Sequence, residues 1–217
     1  MDLSDLEKLQ AAVGWLLWQE SFSRAVERLR VELSRSEETF VWTTVAVNTI
    51  RPTLPVPIKS CWIFLLKRDV PSASHYHPNS VQHMVVLNGH GRANIGGIER
   101  TMIPFGSPRH SIEEKWHVIG EGIPHEFFPE GEDMTVVSFH TCAAAELEEI
   151  ASASGARRIY EPLSNDGREK VAAEQGAAAD GSVRGPEGEV RRTPSLKDEA
   201  PSQDRPNNGL QARARSN

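Results

Sequence analysis

The sequence predicts an all-β domain, a sandwich or a closed barrel, with a helical arm before it and a coreless tail behind it. Three observations carry this. Short β-like runs fill residues 39–142, separated by turns rich in Gly, Pro, Asn and Asp. Apolar residues recur at helical spacing through the first 38 residues. Phe, Trp and Tyr disappear after Tyr160.

The arm, residues 1–38, reads as helix because Leu3, Leu6, Leu9, Val13, Leu16 and Leu17 recur at three- and four-residue spacing, and Val26, Leu29 and Leu33 resume the stripe. Ser4 and Glu7 have capping-box spacing and predict the start. Gly14 and Ser21-Phe22-Ser23 weaken the middle, so two helices with a break are expected. Trp15, Trp18 and Phe22 make the stripe aromatic. Packing on its own domain is the simpler reading, and a homodimer contact is the alternative.

The β segment, residues 39–142, contains the runs Phe40–Val47, Cys61–Leu66, Val81–Leu87, Gly91–Ile95, Trp116–Ile119 and Met134–Phe139. Many short strands without helical patterns between them are the mark of a sandwich or barrel. Residues 143–160 follow, with a short helix expected over Ala143–Ala151. From Glu161 to Asn217, Gly, Pro, Ala, Glu, Arg and Ser dominate. Such a chain buries too little apolar surface to offset its ordering entropy, so residues 161–217 are expected to be a disordered tail.

Composition narrows the function. The net charge of −6 over 217 residues argues against a nucleic-acid partner held by phosphate contacts. No apolar run approaches the roughly 20 residues needed to span a bilayer, so no membrane partner is expected. Asp2, Asp5 and Glu7 precede the first apolar stretch where a secretory signal needs a basic start. Cys61 and Cys142 are far apart and form no CxxC pair, consistent with buried thiols in a reducing cytoplasm. A cytoplasmic location is the expectation.

The chemistry gathers at histidines. His75 and His77 lie one residue apart, and on a strand they point to the same side of a sheet. Imidazole nitrogens are common ligands for zinc, iron, copper and nickel. Gly120-Glu121-Gly122-Ile123-Pro124-His125 is a Gly/Pro turn that delivers a third histidine onto another strand, closing three corners of one site. At period 2, Gln82, Met84 and Val86 share one face of their strand, and His83 takes the other. His140 ends a strand and, by alternation with Met134, Val136 and Ser138, can enter the interior.

These clusters resemble the paired motifs of the cupin superfamily. His75-Tyr76-His77 leads through four residues to Gln82, and after six more to Gly89. Gly122 and His125 match the second motif, with Gly120 where its first Pro is usual. The resemblance covers roughly half the chain. It implies a single cupin-type β-barrel (jelly roll) whose metal is held by His75, His77 and His125. Gln82 stands where the family usually has a Glu ligand; its carbonyl oxygen can still coordinate or accept at a bound substrate. Asp69 stands where a Gly often precedes the histidine pair. The implied cofactor is a divalent transition metal, Fe(II) first, with Mn, Ni or Zn next. The implied activity is dioxygenase-like chemistry on a small organic molecule, with Gln82 and His140 as the candidate catalytic groups. The alternative is a metal-free cupin that binds or senses a small molecule.

Overall fold

A computed structural model describes residues 2–160 and the short strand Val171–Ala173. Helix α1 spans Leu3–Leu17 and α2 spans Glu20–Arg35. The cap is not Ser4. Asp2 accepts a hydrogen bond from the Asp5 N–H at 3.0 Å and starts the helix two residues earlier than the Ser4–Glu7 spacing predicts. The expected break falls at Trp18-Gln19, and Gly14 stays inside α1.

The strands form two antiparallel sheets among the described residues, and Ser60–Leu66, Gln82–Asn88 and Met134–His140 at the middle of the first are buried on both faces. The first sheet has the order β1 (Phe40–Val45), β2 (Ser60–Leu66), β9 (Met134–His140), β4 (Gln82–Asn88), β7 (Trp116–Ile119). The second has the order β12 (Val171–Ala173), β11 (Arg157–Tyr160), β10 (Glu148–Ala151), β3 (His75–Tyr76), β8 (His125–Pro129), β5 (Gly91–Ile95), β6 (Ile98–Met102). A four-residue helix, α3 (Ile112–Lys115), with a Ser111–Glu114 capping box, leads into β7.

Period-2 alternation gives each face of the five-stranded sheet its own core. Cys61, Ile63, Leu65, Val85, Val137 and Phe139 point outward and pack under Leu9, Val13 and Leu16 of α1 and Phe22, Leu29 and Leu33 of α2. Each such buried Leu, Val or Phe side chain contributes about 1.5–3 kcal/mol. The helical arm therefore packs on its own domain, leaving Trp18 89% exposed. The opposite face carries Leu66, Met84, Val86, Met134 and Val136, which meet Ala93, Met102 and Phe127 of the second sheet.

Three expectations are corrected. The barrel is not closed: no ladder joins the two sheets among the described residues, and β1, β7 and β6 stand at sheet edges. Loops such as Gly89-His90 carry the chain from one sheet to the next, so the layers meet through side chains. Gly89 takes φ +83 there, and a Cβ would lie 2.7 Å from the Asp133 carbonyl oxygen. The helix expected over Ala143–Ala151 is a 3₁₀ turn, Ala144–Glu146, followed by β10. The edge of β3 offers backbone partners to Ile150 and Ala151, and that pairing overrides the helix propensity of an Ala/Glu-rich run. Within the tail, Val171–Ala173 pairs with β11; the remaining residues called disordered lie outside the described ones.

Candidate metal centre

The register of the second sheet assembles the site. β3 and β8 pair with His75 opposite His125, so both side chains leave the same face. His77, two residues beyond His75, follows on that face. The two motifs are tied through the backbone, because the Gly122 N–H donates to the His77 carbonyl at 2.8 Å. Gly122 sits at φ +70, a turn conformation that glycine adopts without strain. Asp69, where a glycine was the family expectation, takes the left-handed conformation itself at φ +57. Its carboxylate accepts from the Gly131 N–H at 2.8 Å, a long-range bond that ties this turn to the one before β9.

His75, His77 and His125 are all buried, and each offers a ring nitrogen within 4.8 Å of the others. Backbone carbonyls bond one nitrogen of each ring. His75 Nδ1 is 2.8 Å from the Ala73 oxygen, His77 Nδ1 is 2.7 Å from the Glu148 oxygen, and His125 Nδ1 is 3.0 Å from the Ile123 oxygen. A carbonyl can only accept, so Nδ1 carries the proton in all three rings. The Nε2 lone pairs are left for the common centre. His125 Nε2 is buried with no hydrogen-bond partner among the described residues.

Burial keeps His77 and His125 neutral. It pulls His77 down to about 4 from 6.5, with the nearby His75 ring adding to the effect. His125 is held well below the usual imidazole range by burial first and by His75 and His77 next. Neutral imidazole is the metal-binding form. Three bare lone pairs facing one another in an apolar wall are a poor arrangement alone and a good one around a cation. The donor set fits the expected divalent metal.

Gln82 and His140 reach the same interior from the five-stranded sheet, where they pair in register. Gln82 Oε1 is a second buried atom without a partner, and its Nε2 has only the Met84 sulfur at 4.0 Å. His140 differs from the other three. Its Nδ1 contacts Ser80 Oγ at 3.2 Å and its Nε2 contacts Ser138 Oγ at 2.9 Å, so both nitrogens are engaged. The ring stands 5.2 Å from that of His77, centroid to centroid. His83 faces the helices, as alternation predicts, and His90 is exposed.

One buried acid escaped the sequence reading. Glu149, on β10, is 7% exposed, and its Oε2 lies 3.6 Å from His75 Nε2. It lines the same cavity as His75, His77 and Gln82. Read on a helix, an acid in an Ala/Glu run is a solvated side chain. Only the pairing of β10 with β3 turns it inward.

Two antiparallel sheets with three histidines converging from one of them define a candidate metal centre. Among solved structures the chain is similar to salicylate 1,2-dioxygenase from Pseudaminobacter salicylatoxidans, at 15% identity and TM-score 0.42, covering 57% of this chain and 34% of that one. The same enzyme as an adduct with gentisate gives 14% identity and TM-score 0.46, over 63% and 37% of the two chains. KdgF from Halomonas sp. gives 16% identity and TM-score 0.36, over 49% of this chain and 83% of that one. The chain thus spans 34–37% of the length of these dioxygenase chains. No family model and no curated protein matches it. The functional reading rests on the site.

Proposed function

We propose that the chain is a metal-dependent cupin-type enzyme with dioxygenase-like chemistry on a small organic molecule, with Fe(II) the first choice of metal and Mn, Ni or Zn next. The observation that carries this reading is the set of three Nε2 lone pairs, fixed by three backbone carbonyls and converging in a buried cavity. His75, His77 and His125 would hold the ion. When bound, it supplies Lewis acidity and open positions for substrate and dioxygen.

The remaining side chains prepare the cavity. Phe40, Phe64, Leu66, Met84, Phe127 and Val136 make its wall apolar, which excludes bulk water and strengthens polar contacts inside it. Gln82 offers its unpaired Oε1 as an acceptor for a hydroxyl or amine of the bound molecule. His140, tied by Ser80 and Ser138, sets its ring edge-on to that of His77.

The test is oxygen uptake by protein stripped of metal and reloaded with Fe(II), against a small panel of diketones, thiols and catechols. Uptake above that of free iron with at least one substrate, abolished in His125→Ala, is the expected result. A fully loaded protein that consumes no oxygen with any of them would refute the dioxygenase and leave a small-molecule binder.

A further inference from the structure

Gln82 is 4% exposed, and neither end of its amide is satisfied. Oε1 has no hydrogen-bond partner among the described residues, and Nε2 reaches only the Met84 sulfur at 4.0 Å. A primary amide brings two donors and an acceptor with two lone pairs, so turning it over exchanges its ends without satisfying either. Each bond left unmade by a buried polar group costs stability.

The positions around Gln82 withhold a partner. Residues directly opposite across a ladder share a face. On one side Gln82 lies opposite Ile119 of β7, which is apolar. On the other it lies opposite His140 of β9, whose two nitrogens are engaged by Ser80 and Ser138. Met84, next on the same face of β4, offers only a thioether. The amide lines the cavity that it shares with His75 and His77, and the rings of Phe40, Phe64 and Phe127 line it as well.

These unmet bonds define what the cavity takes. A metal ion satisfies an amide oxygen and leaves the NH2 group without an acceptor. A molecule with a carbonyl beside an N–H or O–H satisfies both ends at once, closing two parallel bonds as a second amide would. A carboxylate cannot, because it has acceptors only and sets a lone pair against Oε1. The aromatic walls favour a flat molecule.

We propose that Gln82 selects the substrate, pairing through both ends of its amide with a flat, uncharged molecule that carries a carbonyl next to an N–H or O–H, such as a lactam or an enolised diketone. The selection rests on the substrate-cavity reading above.

2-Pyridone is a lactam of this kind. Metal-free full-length protein is titrated with it by calorimetry, so that the outcome is independent of the metal. Two methyl isomers separate hydrogen bonding from size: 4-methyl-2-pyridone keeps the N–H and N-methyl-2-pyridone lacks it. The 4-methyl isomer should bind at least about tenfold more tightly than the N-methyl isomer. Gln82→Leu should bring the two within about threefold, by weakening the first and sparing the second. Equal affinities in the wild type, binding of none of the three pyridones, or an unchanged ratio in Gln82→Leu would each overturn the proposal. Should Gln82→Leu not fold, a crystal structure of the wild type with 2-pyridone decides. The lactam paired with the Gln82 amide supports the proposal, and ordered waters on both ends of the amide with the lactam elsewhere refute it. Co(II) loading of the same preparation tests the metal reading separately: no bound Co(II) with the isomer ratio intact would remove the metal and keep the role of Gln82.

Discussion

The two inner faces of the sandwich both bury histidine, and they treat it differently. On the seven-stranded sheet, His75, His77 and His125 each have Nδ1 tied to a backbone carbonyl, and His125 Nε2 is buried with no partner among the described residues. On the five-stranded sheet, His140 is fully buried but bonded at both nitrogens by serine hydroxyls. Burial alone therefore does not mark a ligand. Convergence does: His75, His77 and His125 each have Nδ1 fixed by a carbonyl, and each offers a ring nitrogen within 4.8 Å of the others.

The sharpest way to break this contrast is to remove a member of each set. His125→Ala should lower affinity for a divalent transition metal by about a hundredfold or more in a chelator-competition titration, since a direct ligand counts for more than the groups that orient ligands, which are worth about 10–100-fold. His140→Ala should leave that affinity within about threefold. It should cost about 1–3 kcal/mol in a denaturant melt, because Ser80 and Ser138 lose a buried partner. A large loss of metal in His140→Ala would erase the distinction.

Acid supplies a second test. Burial lowers His77, His83 and His117 to about 4 from 6.5. Between those values the unfolded chain takes up protons that the folded chain refuses. Stability is thus full above about pH 6.5 and is lost progressively as the pH falls toward about 4. Melts of metal-free protein across this range should show that decline, and bound metal should offset part of it until protons displace it. A flat profile from pH 7 to 4 would mean that the histidines are not buried neutral. The smallest effect is expected at the surface. Trp18, 89% exposed, should be replaceable by Ala within about 0.5 kcal/mol.

The contrast between the two faces was only partly legible in the sequence. His75, His77 and His125 could be paired on one site because strand alternation and the Gly122-Ile123-Pro124 turn are local signals. The outward aim of His83 followed from the same alternation. What one sequence cannot show is which nitrogen finds a carbonyl. The Glu148 oxygen that orients His77 comes from 71 residues away. β6 was missed because an edge strand with exposed Ile98, Glu99, Arg100 and Thr101 has no apolar alternation to read. β10 was mistaken for helix because its run is rich in Ala and Glu, and only the edge of β3 makes it a strand. That error hid Glu149, a buried acid that the fold places beside His75. The closed barrel was likewise beyond local patterns, since alternation fixes faces and not whether the outermost strands meet.

The central claim is that three oriented imidazoles make this a metal protein. Metal content of protein purified without a histidine tag, by mass spectrometry before and after reconstitution, tests it most directly. The account predicts about one equivalent of a divalent transition metal per chain, lost in His77→Ala. Less than about a tenth of an equivalent, with none regained on reconstitution, would contradict it.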